Sequence, residues 1–162
     1  LKRYASLPCF IFLTYKKAYK RLTLFKDMQT VEISEREIEI EKKIENMKDE
    51  KTGAFVIFVG AVRGEHGLKK LEIESSPEMA EEEIKKIHEE ALSKFPIRSV
   101  DTLHRVGSLR PQEDIISIIV GSEHRDAAFD ACKYIIDEIK KRVPIWKKEI
   151  FENHERWVSR EE

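Results

Sequence analysis

Residues that cross-link a small fold or hold a metal ion are scarce in this sequence. It has two cysteines, Cys9 and Cys132, among 162 residues. Two are too few for a disulfide framework and suggest a reducing compartment, such as the cytoplasm, or simple burial. The five histidines are widely scattered, and the segment around His88 lacks the second histidine of a zinc-protease helix. We therefore predict no metal site.

The sequence also lacks the short motifs of several enzyme classes. It has no phosphate-binding loop, no dinucleotide-binding glycine pattern, and no nucleophilic serine or cysteine with a partner in an evident motif. Its net charge is −1, so no overall field attracts it to nucleic acid or to a membrane. A hydrophobic content of 41% with 38% charged residues predicts one soluble globular domain with a real core.

Residues 1–27 differ in composition from residues 28–162. They hold seven basic residues and one acid, hence +6, which leaves −7 on the rest of a chain whose total is −1. The apolar run at residues 9–13 is far too short to span a bilayer, and no small-residue cleavage site follows it. Because the first methionine is Met28, we interpret residues 1–27 as an extension upstream of the natural start. The alternative is a basic docking arm.

Regular elements are predicted from Thr30 onward. A short strand at residues 30–33 leads into a capping box at residues 34–37 and a helix reaching Met47. Residues 53–62 are apolar and β-branched, which predicts a buried strand, and a mobile loop with two glycines follows. Residues 68–75 alternate apolar and charged side chains, so we predict a second strand that pairs with the first as a hairpin.

The next elements are a helix and two strands. Ser76 is a predicted cap with Pro77 in the first turn, and the buried stripe of this helix is Ala80, Ile84, Ile87 and Ala91. Strands are predicted at residues 99–109 and 115–120, with a turn between them. The whole order, with hairpins between helices, predicts an α+β fold with a mostly antiparallel sheet and three main helices.

The last predicted helix carries cations at both ends. Ser122 is its predicted cap and Pro144 its stop, and Ala128, Cys132, Ile135 and Ile139 form its apolar stripe. His124 and Arg125 lie in the first turn, where free N–H groups favour an anion. Lys140 lies in the last turn, and two more lysines follow the proline. The alternative is that the last-turn cations merely complement the helix dipole.

Seven cationic or titratable side chains could form a binding site. Arginines hold phosphates and carboxylates as forks, lysines act as point charges, and a desolvated lysine near other cations can acquire a lowered pKa. Together with the flat face of Trp146, the set predicts an anionic ligand that bears a ring, with lysine-assisted chemistry. Its members are Arg63, His124, Arg125, Lys140, Lys147, Lys148 and Arg156.

From about Thr30 to Val158 the chain resembles the large, catalytic subunit of molybdopterin synthase. The resemblance depends on short segments that occur in the same order and at the same spacing. They are 53–54 with 62–63, 71–74 with 77–79, 104–107, 124–125 with 128–129, 144–149 and 156–158. The chain departs from the family at Gln112, where glycine is usual. Residues 28–162 would form the synthase domain, and residues 1–27 have no counterpart in it.

The resemblance implies an α/β-hammerhead fold, a homodimer, and a heterotetramer with two copies of a ubiquitin-like sulfur-carrier subunit. The carrier's C-terminal Gly-Gly thiocarboxylate would enter the active site. Two sulfur atoms would pass to cyclic pyranopterin monophosphate (precursor Z), forming the dithiolene of molybdopterin. The resemblance implies no metal and no other cofactor, because the sulfur arrives already activated.

The same resemblance places the functional residues on this chain. Lys140 and Lys147 would be catalytic, neutralising the carrier's carboxyl end and assisting proton transfers. The implied substrate-binding residues are Ala61, Val62, Arg63, His124, Arg125, Lys140, Lys147, Lys148, Glu149 and Arg156. Two other functions stay open. The chain could be a non-catalytic module that binds ubiquitin-like tails, or a nucleic-acid binder, although interleaved aromatics on a basic face are missing.

Overall fold

The computed structural model describes residues 29–159, so the basic segment 1–27, Met28 and Cys9 lie outside the described residues. The elements follow in chain order: β1 (Gln29–Ser34), α1 (Ile40–Met47), β2 (Ala54–Ala61), β3 (Leu68–Ser75), α2 (Pro77–Lys94), β4 (Ile97–Arg105), β5 (Gly107–Leu109), β6 (Asp114–Ser122), α3 (Arg125–Arg142), β7 (Ile145–Phe151) and β8 (Glu155–Trp157).

Two four-stranded sheets and three helices make up the described chain. The strand order is β1-β4-β6-β2 in the first sheet and β5-β3-β7-β8 in the second. The β1–β4 pair is parallel and the other pairs are antiparallel. The prediction of an α+β fold with a mostly antiparallel arrangement and three main helices is confirmed.

The core lies where α2 and α3 cover the first sheet. The predicted stripes are buried, with Ile84 and Ile87 of α2 and Ile135 of α3 at 0% exposure. Leu71 and Ile73 of β3 belong to the same apolar cluster. The second sheet is therefore joined to the first through a shared core, and the cavity described below lies at this junction.

The predicted hairpin between β2 and β3 is wrong. β2 pairs with β6 in the first sheet, whereas β3 pairs with β5 and β7 in the second. The backbone of Val62 stays attached to the first sheet, since its N–H donates to Glu113 O at 2.9 Å. Alternation within a strand shows which face is buried, but it carries no information about the neighbouring strand.

The strand predicted at residues 99–109 is two strands in two sheets. Gly107 has a φ of 87°, in the left-handed region that favours glycine. This conformation turns the chain out of β4, which belongs to the first sheet, and into β5 of the second. Because Val106 N–H donates to Ser34 O at 3.0 Å, the break is also fixed by β1.

Two of the three serine caps predicted from side-chain chemistry, Ser34 and Ser122, are displaced, whereas Ser76 is the N-cap of α2 as predicted. Ser34 ends β1, and α1 begins at Ile40 with Glu39 at its N-cap, so the capping box does not form. Ser122 ends β6, and its Oγ accepts the N–H of His124 at 3.3 Å, one residue before α3 begins at Arg125. Serine hydroxyls also bond the backbone in turns, which explains the false cap signals.

Candidate functional site

A cavity of about 560 Å³ lies between the two sheets and the C-terminal half of α3. Its size is within the usual range for small-molecule sites. It combines an apolar surface with several charged side chains. The residues that line it are Phe58, Gly60, Ala61, Val62, Arg63, Glu65, Leu71, His104, Ile115, Ile116, Ile136, Ile139, Lys140, Val143, Ile145, Lys147, Glu149, Arg156, Val158 and Ser159.

One wall is the inward face of α3. Ile136, Ile139, Lys140 and Val143 recur at the spacing of a single helical face, and all four line the cavity. Ile139 and Val143 are buried, whereas Lys140 is exposed. The helix therefore places an ammonium group at the rim and aliphatic side chains deeper in the wall.

The opposite wall is β7. Ile145, Lys147 and Glu149 line the cavity, and the intervening Trp146 and Lys148 do not. This is the alternation expected of an extended strand. The pairing of Lys147 with Ile73 and of Glu149 with Leu71 on β3 holds that register.

The third side is the end of β2. The pairing of β2 with β6 shifts between Gly60 and Ala61, and such a bulge bends a strand and redirects its side chains. A Cβ atom on Gly60 would lie 2.9 Å from Ile116 Cγ2, so the close approach of the two strands requires glycine. Beyond the bulge, Ala61, Val62 and Arg63 reach the cavity.

The mouth contains an arginine held by two carboxylates. Arg156 of β8 donates to Glu149 Oε2 from Nε at 2.8 Å and from Nη2 at 2.5 Å. The same Nη2 lies 3.2 Å from Glu65 Oε2, in the loop between β2 and β3. Arg156 therefore orients Glu149 and ties β8 to that loop.

Burial and charge act together on Lys147. Its side chain is partly buried, and desolvation together with the positive charge of Lys140 lowers the pKa of Lys147 below its usual range. Removing water from an ammonium group disfavours the charged form, and a neighbouring cation has the same effect. Lys147 can therefore exchange a proton more readily than an ordinary surface lysine.

Seven of the ten predicted site residues line the cavity. They are Ala61, Val62, Arg63, Lys140, Lys147, Glu149 and Arg156. Lys148 lies on the other face of β7, near Glu155 at 3.4 Å and Glu72 at 3.7 Å. His124 and Arg125 lie at the N-terminal end of α3, and Arg125 is 82% exposed and paired with Asp126. These three residues are not part of the cavity that the described chain forms alone.

The sequence argument omitted three polar residues of the lining, Glu65, His104 and Ser159. Glu65 belongs to a glycine-containing loop, whose course cannot be inferred from local pattern. His104 follows Thr102 by two residues, so strand alternation could have shown that both side chains lie on the same face of β4. Within residues 29–159, no three His, Cys, Asp or Glu side chains are grouped to hold a metal ion. No helix in that range is both long and apolar enough to cross a membrane.

The geometry defines a class of protein: an α+β domain with a partly apolar cavity whose lining includes the cations Arg63, Lys140, Lys147 and Arg156. The family described as MoaE protein matches residues 33–142. The molybdopterin synthase catalytic subunit of Pyrococcus abyssi is 42% identical over 123 residues, covering 74% of this chain and 83% of that protein. Its counterpart in Thermoplasma volcanium is 42% identical over 126 residues, covering 76% and 92%.

Solved structures agree with the sequence relatives. Molybdopterin synthase from Staphylococcus aureus superimposes with a TM-score of 0.75 at 36% identity, covering 79% of this chain and 96% of that chain. A chain in the complex of subunits 1 and 2 of the molybdopterin-converting factor from Helicobacter pylori shares the fold, with a TM-score of 0.66 at 18% identity. This chain belongs to the MoaE family, the catalytic subunits of molybdopterin synthase, which confirms the resemblance found in the sequence.

Proposed function

We propose that this protein transfers sulfur from the thiocarboxylated C-terminus of a small ubiquitin-like carrier to cyclic pyranopterin monophosphate. The observation that carries the proposal is the meeting of Lys140 and Lys147 in one cavity with Arg63. The apolar lining accommodates a fused ring, and the cations balance the charge of a phosphate and of an incoming thiocarboxylate.

The two lysines have different parts in the proposed chemistry. Lys140, exposed at the rim, neutralises the carboxyl end of the carrier tail as its sulfur attacks a carbon of the pterin side chain. Lys147, with its lowered pKa, exchanges a proton with the oxygen that leaves that carbon. Glu149, fixed by Arg156, offers a carboxylate two residues from Lys147 on the same face of β7. Water then cleaves the bond between that sulfur and the acyl carbon of the carrier, so the carrier leaves as a carboxylate and the sulfur stays on the pterin. Two such transfers, each from a fresh thiocarboxylated carrier, supply the two sulfur atoms of the dithiolene.

His124 and Arg125 would contribute to the site only in a dimer of this chain. Sixteen residues separate His124 from Lys140 along α3, which corresponds to roughly 24 Å at the helical rise. One pterin phosphate cannot span that distance. In a two-fold dimer, the start of one helix can lie beside the end of its partner's. We therefore propose that His124 and Arg125 complete the site of the neighbouring protomer and hold the substrate phosphate there.

The proposed partners are a second copy of this chain and one carrier subunit for each protomer. The Helicobacter pylori structure named above is a complex of two different subunits, and this supports the same kind of partnership here. The carrier tail would enter past Arg156 and Glu65, whose contact at 3.2 Å closes one side of the mouth.

The direct test combines the protein with thiocarboxylated carrier and cyclic pyranopterin monophosphate, and measures molybdopterin. We expect product with the thiocarboxylate and none with a carrier that ends in an ordinary carboxylate, since that carrier has no sulfur to transfer. A second candidate function is a module that only binds ubiquitin-like tails. It predicts that the protein binds the carrier but forms no product, and that result would reject the transfer reaction.

A further inference from the structure

His104 is a buried histidine whose two ring nitrogens have different surroundings. Its side chain is 3% exposed, and Nδ1 lies 2.8 Å from the backbone oxygen of Arg105. Because a carbonyl oxygen can only accept, Nδ1 must donate and therefore carries a proton. Among residues 29–159, Nε2 has no hydrogen-bond partner. Nε2 is the polar atom that His104 offers to the cavity it lines.

The position of His104 in the first sheet places it in the part of the cavity lining that this sheet forms. His104 on β4 lies opposite Ile116 on β6, and Ile116 lies opposite Gly60 on β2. All three residues line the cavity, so they form one row across adjacent strands. The other buried histidine, His88, is used differently, since its Nε2 lies 2.8 Å from Thr102 Oγ1 inside the core.

The surroundings keep the ring uncharged. Burial and the nearby charge of Lys147 lower the pKa of His104 to about 4, although its bond to the Arg105 carbonyl acts in the opposite direction. At neutral pH the ring therefore holds one proton, on Nδ1, and Nε2 keeps its lone pair. Nε2 is not among the fully enclosed polar atoms of the described residues, so it is accessible from the cavity, and a donor group of a ligand can replace water there.

The rest of the lining shows why such an acceptor matters. Arg63, Lys140 and Lys147 can only donate hydrogen bonds while they are charged. Arg156 donates to one oxygen of the Glu149 carboxylate, Oε2, and also contacts Glu65, so both of these acceptors carry a negative charge and already share a donor. A nitrogen heterocycle with ring N–H and amino groups needs acceptors, and within the described lining His104 Nε2 is a neutral acceptor with no competing donor.

We propose that His104 is a substrate-binding residue, whose Nε2 accepts a hydrogen bond from an N–H or O–H group of the ring-bearing ligand and thereby selects and orients it against Lys147. The inference rests on the proposed function for the identity of that ligand. In the proposed function the cations recognise the phosphate and the carrier tail. His104 would recognise the heterocycle. Sites that pair a buried polar group with a substrate donor reject analogues without that donor strongly.

Nuclear magnetic resonance of the full-length protein with ¹⁵N-labelled histidine tests the proposal on the unaltered chain. The His104 signals are assigned by their loss in His104→Asn. We expect a protonated Nδ1 and an unprotonated Nε2 at pH 7. Cyclic pyranopterin monophosphate, added without carrier, should shift the Nε2 resonance. A proton on Nε2, or bound substrate with an unmoved Nε2 resonance, overturns the proposal. A protein that does not bind the pterin at all overturns the proposed function and this inference with it.

Two variants provide the kinetic test. His104→Asn keeps an amide donor near the position of Nδ1 and removes Nε2, whereas His104→Gln extends an amide oxygen toward the position of Nε2. We expect His104→Asn to raise KM for the pterin about tenfold, with a smaller change in kcat and an unchanged KM for the carrier. His104→Gln should recover part of the loss. Equal KM values for the wild type and a folded His104→Asn variant would contradict the assignment.

Discussion

Lys140 and Lys147 line one cavity from two different elements, and the charge of Lys140 adds to burial in lowering the pKa of Lys147. The chain reverses direction at Val143 and Pro144, between the end of α3 and the start of β7. This reversal brings the last turn of the helix beside the third residue of the strand. Two cations held this close are unfavourable for stability while both are charged, and the lowered pKa of Lys147 reflects that repulsion together with burial.

Removal of the Lys147 ammonium group tests its catalytic part. We expect Lys147→Ala to lower turnover by roughly 100-fold or more, as loss of a positioned acid-base group or charge does. Lys148→Ala is the matched comparison, because Lys148 lies on the opposite face of β7 and pairs with Glu155 and Glu72. Its effect should be milder. Turnover near that of the wild type in Lys147→Ala would remove this residue from the mechanism.

The same residue should show a conflict between activity and stability. The folded-state pKa of Lys147 is lowered, so at neutral pH its charge opposes folding. As pH rises from the folded pKa toward the unfolded value of about 10.4, the unfolded state binds more protons and the wild type gains stability. Lys147→Met should therefore be at least as stable as the wild type at pH 7, with an advantage that shrinks as pH increases.

Urea unfolding of Lys147→Met at several pH values measures this effect. Lys148→Met serves as the control, since it removes a lysine from the same strand that is paired with carboxylates. A stability advantage for Lys147→Met that grows with pH would show that the sign is wrong.

Complementation between two inactive variants tests the shared site. Arg125→Ala and Lys140→Ala are mixed and allowed to exchange subunits. In a mixed dimer, one shared site would lose both residues and the other would regain both. With random equal mixing, half of the dimers are mixed, so about a quarter of all sites should be active. Exchange confirmed by mass spectrometry without any recovered activity would show that each site is built within one protomer.

A buried ion pair joins α1 to the first sheet. Lys43 Nζ lies 2.8 Å from Asp101 Oδ1, with side-chain exposures of 16% and 6%, and Thr30 Oγ1 also donates to Asp101. Lys43→Met leaves a buried carboxylate without its cation and should cost about 3 kcal/mol. Lys42→Met is the control, because Lys42 is 73% exposed and should change stability little. Equal urea midpoints for the two variants would contradict this account.

The turn before β6 contains a residue in a costly conformation. Gln112 has a φ of 75°, in the left-handed region that disfavours side chains, and glycine is usual there in the family that the sequence resembles. Gln112→Gly should relieve that strain at some cost in chain entropy, for a net gain of about 0.5–1 kcal/mol. A thermal or urea midpoint below that of the wild type would contradict the prediction.

Local sequence pattern predicted the helices and their ends well, because these depend on residues that are close together in the chain. The stripes of α2 and α3 follow helical spacing, and Pro77 and Pro144 mark a start and a stop that the structure keeps. Local pattern failed to predict strand pairing, because pairing depends on residues that are far apart in the sequence. The partner of β2 is β6, not its neighbour β3, and hydrophobic alternation cannot distinguish between them.

The prediction of the cavity residues shows the same difference between local pattern and long-range structure. The resemblance placed Lys148 in the site with Lys147, but Lys148 lies on the other face of β7, because adjacent residues of a strand face opposite ways. The family resemblance added Glu149 to Arg63, Lys140 and Lys147, which already belonged to the set of cations found from the residues. Neither argument found His104 or Glu65, because their approach to Lys147 and Arg156 depends on how two separate sheets meet. The roles of all these residues stay predictions until the variants are measured.

The pairing of strands that are far apart in the sequence affects how the chain folds during its synthesis. Gln29 lies opposite Val100 and Ala54 opposite Ser122, so β1 and β2 leave the ribosome long before the strands that they pair with. Such non-local topologies fold slowly. During this interval the apolar segment AFVIFVGA of β2 has no neighbour and resembles the uncharged, β-prone stretches that aggregate. Newly made chains should therefore depend on chaperones until β6 has been synthesised.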